Sequence, residues 1–270
     1  MQYLRDLLVR LNNKRKKQQL AKTPFFSDTT LKSDVQWLEP LFFGTETLKS
    51  MIFSTKNIEE SRDLMRRMPN DDYSEFLNKY YDKALNQLGE KWIYADIVTV
   101  LNAISKNFDI NSYLEIGVRN GRSLLVVANN RPDCNIVGFD LWIEDYAGMD
   151  NPGEEYVIEK LSEFNFSGKV DFINGDSKKT VPEYFKENTD AYFDLITVDG
   201  DHRIKGAKTD IRNVIKRLKV GGFLVFDDIV SPHHPYLEKL WKKEIKDNDR
   251  FTTFEYEDVG LGIGVAIKRY

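Results

Sequence analysis

The segment that decides the fold is YLEIGVRNGRS, residues 113–123. Its apolar run is followed by Gly117 and Gly121, after which the periodicity becomes helical. Glycines directly after a strand allow a tight turn and let the backbone approach a ligand closely at the carboxyl end of that strand. The spacing is GxxxG, with Arg119 where a dinucleotide-binding GxGxxG would have its second glycine. Glu115 lies two residues before the first glycine, and its carboxylate suits a cationic ligand better than a pyrophosphate. A purely structural turn is the alternative interpretation of this segment alone.

Beyond this segment, short β-rich runs alternate with stretches of helical periodicity. Such alternation is typical of βαβ units, which form a parallel sheet with helices on both faces. The last two runs are joined by a short turn, so they must be antiparallel, because a parallel return needs a crossover of about a dozen residues. The sequence therefore predicts an α/β fold with a doubly wound sheet and an antiparallel C-terminal hairpin. The seven predicted strands are Tyr113–Gly117, Ile136–Asp140, Val170–Asn174, Leu195–Val198, Phe223–Phe226, Phe251–Tyr256 and Ile263–Lys268, and the helices among them are Arg122–Asn129, Glu154–Phe166, Lys178–Glu187, Ile204–Leu218 and Pro235–Asp247.

The N-terminal third of the chain has a different character, and we expect a helical extension over residues 1–90 before the α/β domain over residues 91–270. Leucines recur with helical spacing in the first twenty residues, among strongly basic positions. This stretch is interpreted as a solvated surface helix, an oligomerisation arm or a substrate lid. A membrane-surface helix has less support, because the apolar stripe is short. Two further helices are expected from Asp71 to about Phe108, with a break at Gly89.

Composition excludes several classes of protein. The 270 residues are 41% hydrophobic and 30% charged, a profile that argues against an integral membrane protein and against a mostly disordered chain. The formal net charge of −4 does not favour nucleic acid as a partner. The single cysteine, Cys134, excludes an internal disulfide and a cysteine zinc cluster. We therefore expect a cytoplasmic protein with no membrane span.

Acidic residues follow the predicted parallel strands one after another. They are Asp140, Asp176, Asp199, Asp227 and Asp228. Because the carboxyl ends of parallel strands meet at one edge of the sheet, these carboxylates should gather where ligands of such sheets bind. One aspartate after a strand is common as a helix N-cap, but five in succession are not well explained by capping.

Taken together, the motifs YLEIGVRNGRS, GFDLW, INGDS, DLITVDGDH and KVGGFLVFDD resemble those of the class I S-adenosylmethionine-dependent methyltransferases. Within that class, the chain is similar to the branch of macrolide-sugar O-methyltransferases and cephalosporin hydroxylase-like proteins, over roughly residues 92–270. The resemblance implies a Rossmann-like sheet and S-adenosylmethionine as cofactor. It places Glu115, Gly117 and Gly121 in the loop under the methionine part and ribose, Asp140 on the ribose hydroxyls, and Asp176 with the Ser177 backbone at the adenine.

The same resemblance implies a divalent metal, Mg²⁺ or Mn²⁺, on Asp199, Asp227 and Asp228. Three hard oxygen ligands suit Mg²⁺, with water or substrate in the remaining positions. His202, three residues after Asp199, would be the catalytic base, since a side chain with a pKa near neutrality can take a proton from a hydroxyl. The alternative for His202 is a helix cap or a ligand acting through water.

Several assignments stay open at this stage. His233 and His234 could lie on a substrate-facing loop, have a structural role or bind a metal, and Trp142 could stack on adenine or belong to the core. The leading hypothesis is metal-assisted O-methylation of a hydroxyl on a sugar or glycosylated small molecule, by a homo-oligomer. The alternatives are metal-independent N-methylation, a non-catalytic paralogue and, disfavoured by Arg119, an NAD-dependent oxidoreductase.

Overall fold

The computed structural model describes residues 2–20, 22–26, 41–68, 71–144 and 151–270. The strands are β1 (Ser112–Ile116), β2 (Asn135–Asp140), β3 (Val170–Asn174), β4 (Phe193–Val198), β5 (Leu218–Asp227), β6 (Phe251–Tyr256) and β7 (Ile263–Lys268). The helices are α1 (Gln2–Leu20), α2 (Thr45–Ile52), α3 (Thr55–Arg66), α4 (Asp72–Leu88), α5 (Ile97–Asn107), α6 (Arg122–Asn130), α7 (Glu154–Glu163), α8 (Ser177–Glu187), α9 (Ile204–Val214) and α10 (Leu237–Trp241).

In the part of the chain that the structure describes, the strands form one sheet in the order β3-β2-β1-β4-β5-β7-β6. Strand β1 pairs in parallel with β2 on one side and with β4 on the other, so the strand order reverses between β1 and β4. Ligands of doubly wound sheets bind at this kind of reversal, outside the carboxyl ends of the strands. Strand β7 is antiparallel to both β5 and β6. The predicted α/β fold with a C-terminal hairpin is confirmed.

Helices cover both faces of the sheet, which explains why its central strands are rich in buried apolar residues. Every residue of β4 is buried. On one face, side chains such as Leu101 of α5 and Leu124 of α6 pack with Leu195. On the other face, Val181 of α8 and Ile211 of α9 belong to a second buried cluster.

Helices α2, α3 and α4 pack on the first of these faces. Leu48, Ile58 and Tyr81 are fully buried in the same cluster as Val225 of β5. The hydroxyl of Tyr81 donates to Asp96, 2.7 Å away, and this aspartate caps the start of α5. The predicted break after α4 is confirmed at the Gly89 position, where the backbone turns to φ 54°. The domain boundary near residue 90 stays a prediction.

Helix α1 is present as predicted, but its leucines at positions 4, 7, 8 and 11 are exposed. Leu4 and Leu8 are 61% and 60% exposed. The ammonium group of Lys16 connects α1 to the C-terminal part of the chain. Its Nζ donates to Asp249 Oδ2 at 2.6 Å and to the hydroxyl of Tyr270 at 2.9 Å.

Several element boundaries differ from the sequence interpretation; for example, β4 begins at Phe193 rather than at Leu195, and α7 ends at Glu163 rather than at Phe166. Strand β5 begins at Leu218 rather than at Phe223, because Leu218 pairs with Phe193 of β4 and Val220 exchanges backbone hydrogen bonds with residues 24 and 26. The preceding helix accordingly ends at Val214. Helix α10 begins two residues after the predicted Pro235 and continues as a π-helical turn over Lys242–Lys246. Within the described ranges, no helix has the length and apolarity needed to cross a membrane.

Candidate active site at the carboxyl edge of the sheet

In the loop after β1, every second residue from Gly117 to Gly121 has a left-handed backbone conformation. The backbone φ is 94° at Gly117, 50° at Arg119 and 75° at Gly121. A Cβ on Gly117 would overlap the carbonyl group of Asp199, and one on Gly121 would lie 2.8 Å from a methyl group of Val157. Both glycines of the motif are therefore required by close packing. Arg119 adopts a conformation that L-residues rarely take outside turns.

Glu115 lies underneath this loop and is fully buried. Its carboxylate accepts hydrogen bonds from the hydroxyl of Ser123 and from that of Tyr113, at 3.1 Å for the latter. Burial raises the pKa of Glu115 to about 8, against the lowering effect of these two donors. The carboxylate thus fastens the loop to the start of α6 from below. Direct contact of Glu115 with a cofactor stays a prediction.

Asp140, at the end of β2, connects two loops at the sheet edge. One of its carboxylate oxygens accepts from the backbone N–H of Arg119 at 2.8 Å, and the other accepts from that of Trp142 at 2.6 Å. Trp142 has a φ of 48°, and its indole ring packs edge-on against Phe172. These backbone bonds orient the carboxylate that the resemblance assigns to the ribose hydroxyls, an assignment that stays a prediction.

Asp176 and Ser177 lie at the start of α8, next along the same edge. Asp176 caps the helix by accepting from the backbone N–H of Lys178, whose Nζ lies 2.9 Å from the same carboxylate. The hydroxyl of Ser177 donates to Asp210 of α9 at 2.8 Å. Burial raises the pKa of Asp210 to about 7. Contact of Asp176 and Ser177 with the adenine of a cofactor stays a prediction.

The carboxylates after β4 and β5 come together around His202. Its Nε2 lies 3.4 Å from Asp199 Oδ1 and 3.3 Å from Asp228 Oδ2. Burial raises the pKa of Asp227 well above its usual range, and the neighbouring charges of Asp199 and Asp228 raise it further. Burial and the charge of Asp199 likewise raise the pKa of Asp228 to about 6. Asp228 also has a left-handed backbone, with a φ of 61°.

His202 combines burial with close carboxylates. Burial lowers its pKa, but the nearby carboxylates of Asp199 and Asp228 outweigh that effect and raise it above the usual value. Its ring stacks on that of His234, with centroids 5.2 Å apart and planes inclined by 16°. The ring Nδ1 of His234 lies 3.1 Å from the hydroxyl of Tyr236. The loop after β5 therefore brings one of the two undecided histidines to the predicted base.

Asp201, which precedes His202, has different partners. Its carboxylate accepts from the backbone and guanidinium of Arg203 and from Lys178 Nζ at 3.2 Å. The hydrogen bond from Arg203 is the main cause that lowers its pKa to about 2. Asp201 thus forms ion pairs at the start of α9, whereas the residues beside His202 are Asp199, Asp228 and His234.

Two residues from α4 reach the site, and the sequence interpretation missed both. Asp71, the N-cap of α4, accepts at 2.6 Å from the side-chain amide of Asn120 in the loop after β1. The guanidinium of Arg122 lies over the ring of Tyr73, 4.7 Å from its centroid. The only sequence signal was a helix-capping pattern at Asp71, which indicates where a helix begins but not what it covers.

Buried polar atoms without partners concentrate at this edge. In the described part of the chain, ten buried side-chain nitrogen or oxygen atoms lack a hydrogen-bond partner, and six of them belong to the loops after β1, β2 and β4. The six are Nε and Nη2 of Arg119, Oδ1 of Asn120, Nε of Arg122, Nε1 of Trp142 and Nε2 of His202. Because buried polar groups are nearly always paired, such a cluster indicates a surface that a ligand completes.

Two further observations concern other binding features. The described residues contain no group of three or more His, Cys, Asp and Glu side chains arranged as metal ligands. A cleft of about 260 Å³ lies between α3, α5 and the C-terminal end of α6, and its lining includes Arg67 and Lys106. That end of α6 is the end opposite to the loop after β1, so this cleft is not part of the site.

Comparison with known proteins gives the following matches. The family model described as "Methyltransferase domain" matches residues 114–229. Caffeoyl-CoA O-methyltransferase 1 of Eucalyptus globulus is 30% identical over 156 residues, which cover 54% of this chain and 58% of that protein. The uncharacterized protein R132 of Acanthamoeba polyphaga mimivirus is 29% identical over 150 residues, with 54% and 62% covered. The chain therefore spans less than two thirds of the length of these relatives.

Two solved structures share the fold. The O-methyltransferase TomG of Streptomyces achromogenes, in complex with S-adenosylmethionine, is 18% identical with a TM-score of 0.53, and the match covers 75% of this chain and 92% of that one. CalS11, described as a TDP-rhamnose 3′-O-methyltransferase of calicheamicin biosynthesis, is 20% identical with a TM-score of 0.51, covering 80% and 93%. At these identities the match shows the fold alone.

Proposed function

We propose that this chain is a class I S-adenosylmethionine-dependent methyltransferase that transfers the methyl group of its cofactor to a hydroxyl oxygen of a small molecule; the match of residues 114–229 to the methyltransferase domain model supports this. The observation that carries the proposal is the position of His202 at the carboxyl edge, between the carboxylates of Asp199 and Asp228 and with its Nε2 unpartnered. A base that takes the hydroxyl proton would be held there next to the loop after β1.

The cofactor is proposed to lie along the ends of β1, β2 and β3. Close packing of Gly117 against Asp199 keeps the loop low enough for a ligand to approach the backbone. Asp140 offers an oriented carboxylate for the ribose hydroxyls, and Asp176 with Ser177 would border the adenine. The side-chain N–H groups of Arg119 and Trp142 that lack a partner flank the same edge, and they support the binding of a ligand there.

A divalent cation, Mg²⁺ or Mn²⁺, is the finer part of the proposal. Its support is the chemistry of the donor set: Asp199, Asp227 and Asp228 are hard oxygen donors, and burial together with neighbouring negative charge raises the pKa of Asp227 and Asp228. The three carboxylates would hold the cation. When bound, it would acidify a coordinated hydroxyl. Asp199 would serve both the cation and the orientation of His202.

The acceptor is proposed to be a sugar or a glycosylated small molecule. The matched curated relatives from Eucalyptus are named as O-methyltransferases, and one fold neighbour is named as a sugar O-methyltransferase. Both names favour oxygen as the methylated atom. The choice of a sugar as the acceptor rests on the resemblance of the sequence motifs to those of sugar O-methyltransferases.

The test is calorimetric titration with S-adenosylhomocysteine, with and without Mg²⁺, followed by methyl transfer to a panel of sugars and phenols. Binding of the cofactor product and Mg²⁺-dependent transfer to oxygen support the whole proposal. Full activity in EDTA would contradict the proposed role of the metal. Transfer only to amines would favour metal-independent N-methylation. Binding without transfer to any acceptor would favour a non-catalytic paralogue.

We also propose a cytoplasmic homo-oligomer in which α1 packs on a second copy of the chain, with no nucleic-acid partner. The exposed leucines at positions 4, 7, 8 and 11 of α1 support this, because helices in proteins gain most of their stability from tertiary packing of an apolar face. Removal of residues 1–20 should lower the oligomeric state measured by light scattering. An unchanged number of subunits and an unchanged melting temperature would leave α1 as a solvated surface helix.

A further inference from the structure

Arg119, in the loop after β1, and Arg122, at the start of α6, carry buried donors that nothing in the described chain satisfies. Nε and Nη2 of Arg119 and Nε of Arg122 are shielded from solvent and lack a hydrogen-bond partner. A buried donor left unpaired costs about 1–3 kcal/mol, and more when the group is charged. Three such atoms on neighbouring guanidinium groups are a large deficit for a folded protein, and a ligand with acceptor oxygens would remove it.

The nearest carboxylate does not fill this role. Oδ2 of Asp71 lies 3.9 Å from Nη2 of Arg119, beyond hydrogen-bond distance. Its oxygens already accept from the backbone N–H of Ser74 and from the amide of Asn120, each at 2.6 Å. Asp71 therefore compensates part of the positive charge while it leaves the guanidinium donors free for another acceptor.

Helix α4 also fixes the orientation of the second arginine. The guanidinium of Arg122 lies 4.7 Å from the ring centroid of Tyr73, a distance typical of a cation–π contact. Burial raises the pKa of Tyr73 to about 12, and the charges of Asp227 and Asp228 add to this effect, so Tyr73 lies near the acidic residues after β5.

We propose that Arg119 and Arg122, backed by Tyr73, form an anion subsite that takes a carboxylate or phosphate group. A guanidinium binds either group through paired N–H donors. Arg122 is also the first residue of α6, so the positive end of that helix adds to the attraction. Residues 71–73 lie outside the matched methyltransferase domain, and the subsite gives this part of the N-terminal extension a role in binding.

Two molecules could supply the anion, and the ligand's identity rests on the proposed function. One is the cofactor, through its amino-acid carboxylate, and the other is an acceptor with an acidic group. The probes are S-adenosylhomocysteine, 5′-methylthioadenosine (which lacks the amino-acid part), glucuronate and inorganic phosphate. They are titrated calorimetrically into the wild type, the double variant Arg119→Gln/Arg122→Gln and the control Arg212→Gln, which removes an exposed guanidinium bonded to Glu244.

If the cofactor supplies the anion, the double variant binds S-adenosylhomocysteine about 10–100-fold more weakly, while 5′-methylthioadenosine affinity stays within about threefold. If the acceptor supplies it, both nucleosides bind unchanged. Glucuronate or phosphate then binds the S-adenosylhomocysteine-loaded wild type but binds the double variant at least about tenfold more weakly. The control should behave as the wild type in both cases.

Equal binding of all four probes to the wild type and the double variant would overturn the subsite. If the double variant does not fold, as judged by circular dichroism, Arg119→Lys/Arg122→Lys replaces it, because lysine keeps the charge but loses the paired donors. A wild type that fails to bind S-adenosylhomocysteine would refute the proposed function. Titration of the unloaded protein with phosphate and glucuronate would still decide the subsite.

Discussion

Replacing Asp210 by asparagine should change how the stability of this protein depends on pH. Asp210 is fully buried on α9, where one carboxylate oxygen accepts from Ser177 and the other has no partner. Burial, the largest cause, raises its pKa from 3.8 to about 7. Because the folded-state pKa lies above the unfolded one, the stabilising contribution of this group is complete below about pH 4 and is lost as the pH rises through about 7.

The magnitude follows from the difference between these two pKa values. At 1.36 kcal/mol per pKa unit, the rise from 3.8 to about 7 corresponds to about 4 kcal/mol of unfolding free energy lost between acidic and weakly alkaline pH. Asparagine has nearly the same shape and can still accept from Ser177, but it is neutral at every pH. We therefore expect Asp210→Asn to match the wild type near pH 4 and to exceed it by up to about 4 kcal/mol at pH 8.

The assay is urea unfolding of both proteins at one-unit intervals from pH 5 to 8. The matched control is Asp190→Asn, which neutralises an exposed aspartate between α8 and β4. This control removes one negative charge from the surface without altering the core. A pH-independent difference between Asp210→Asn and the wild type would contradict a raised folded-state pKa, since it would mean that the buried carboxyl group titrates as it does in the unfolded chain.

Three further outcomes are expected. Asp140→Ala should weaken S-adenosylhomocysteine binding by roughly 2–3 kcal/mol in calorimetry, because charge-assisted bonds to the ribose would be lost; equal affinity in a folded variant would remove Asp140 from the cofactor site. His202→Ala should lower turnover by roughly 10²–10⁴-fold, the usual contribution of a positioned base, and an unaltered rate and pH profile would leave His202 with a structural role. Gly117→Ala should lower the melting temperature more than Gly153→Ala. Both glycines have a positive φ, but only at Gly117 would an added Cβ lie against backbone atoms. Equal decreases in melting temperature would show that the loop can move away from Asp199.

Much of the fold could be predicted because its signals are local. A strand buried on both faces is mostly apolar, so β1 and β4 are evident as short runs rich in apolar residues, although Glu115 and Asp194 are also buried within them. The gathering of acidic residues at one edge follows from the same periodicity, since parallel strands that alternate with helices end on one side of the sheet. The close pairing of β6 and β7 is likewise a consequence of their short connection.

Boundaries set by distant segments could not be predicted in this way. Strand β5 begins five residues earlier than its own pattern indicates, because Val220 is paired by residues 24–26. Asp201 and His202 are neighbours in the chain, yet the first pairs with Arg203 and Lys178 while the second lies between Asp199 and Asp228. Which way each side chain points depends on the turn after β4 and on the helices packed around it.

The class of the fold, the edge at which the site lies and the residue types available there follow from local sequence patterns, because burial and backbone pairing impose periodicity on the chain. Which of those side chains meet depends on long-range packing. It placed Glu115 beneath the loop, stacked His234 on His202 and set Tyr73 of α4 against Arg122. These contacts join residues far apart in the chain, and they arise from the packing of whole helices on the sheet, for which no local pattern in the sequence exists.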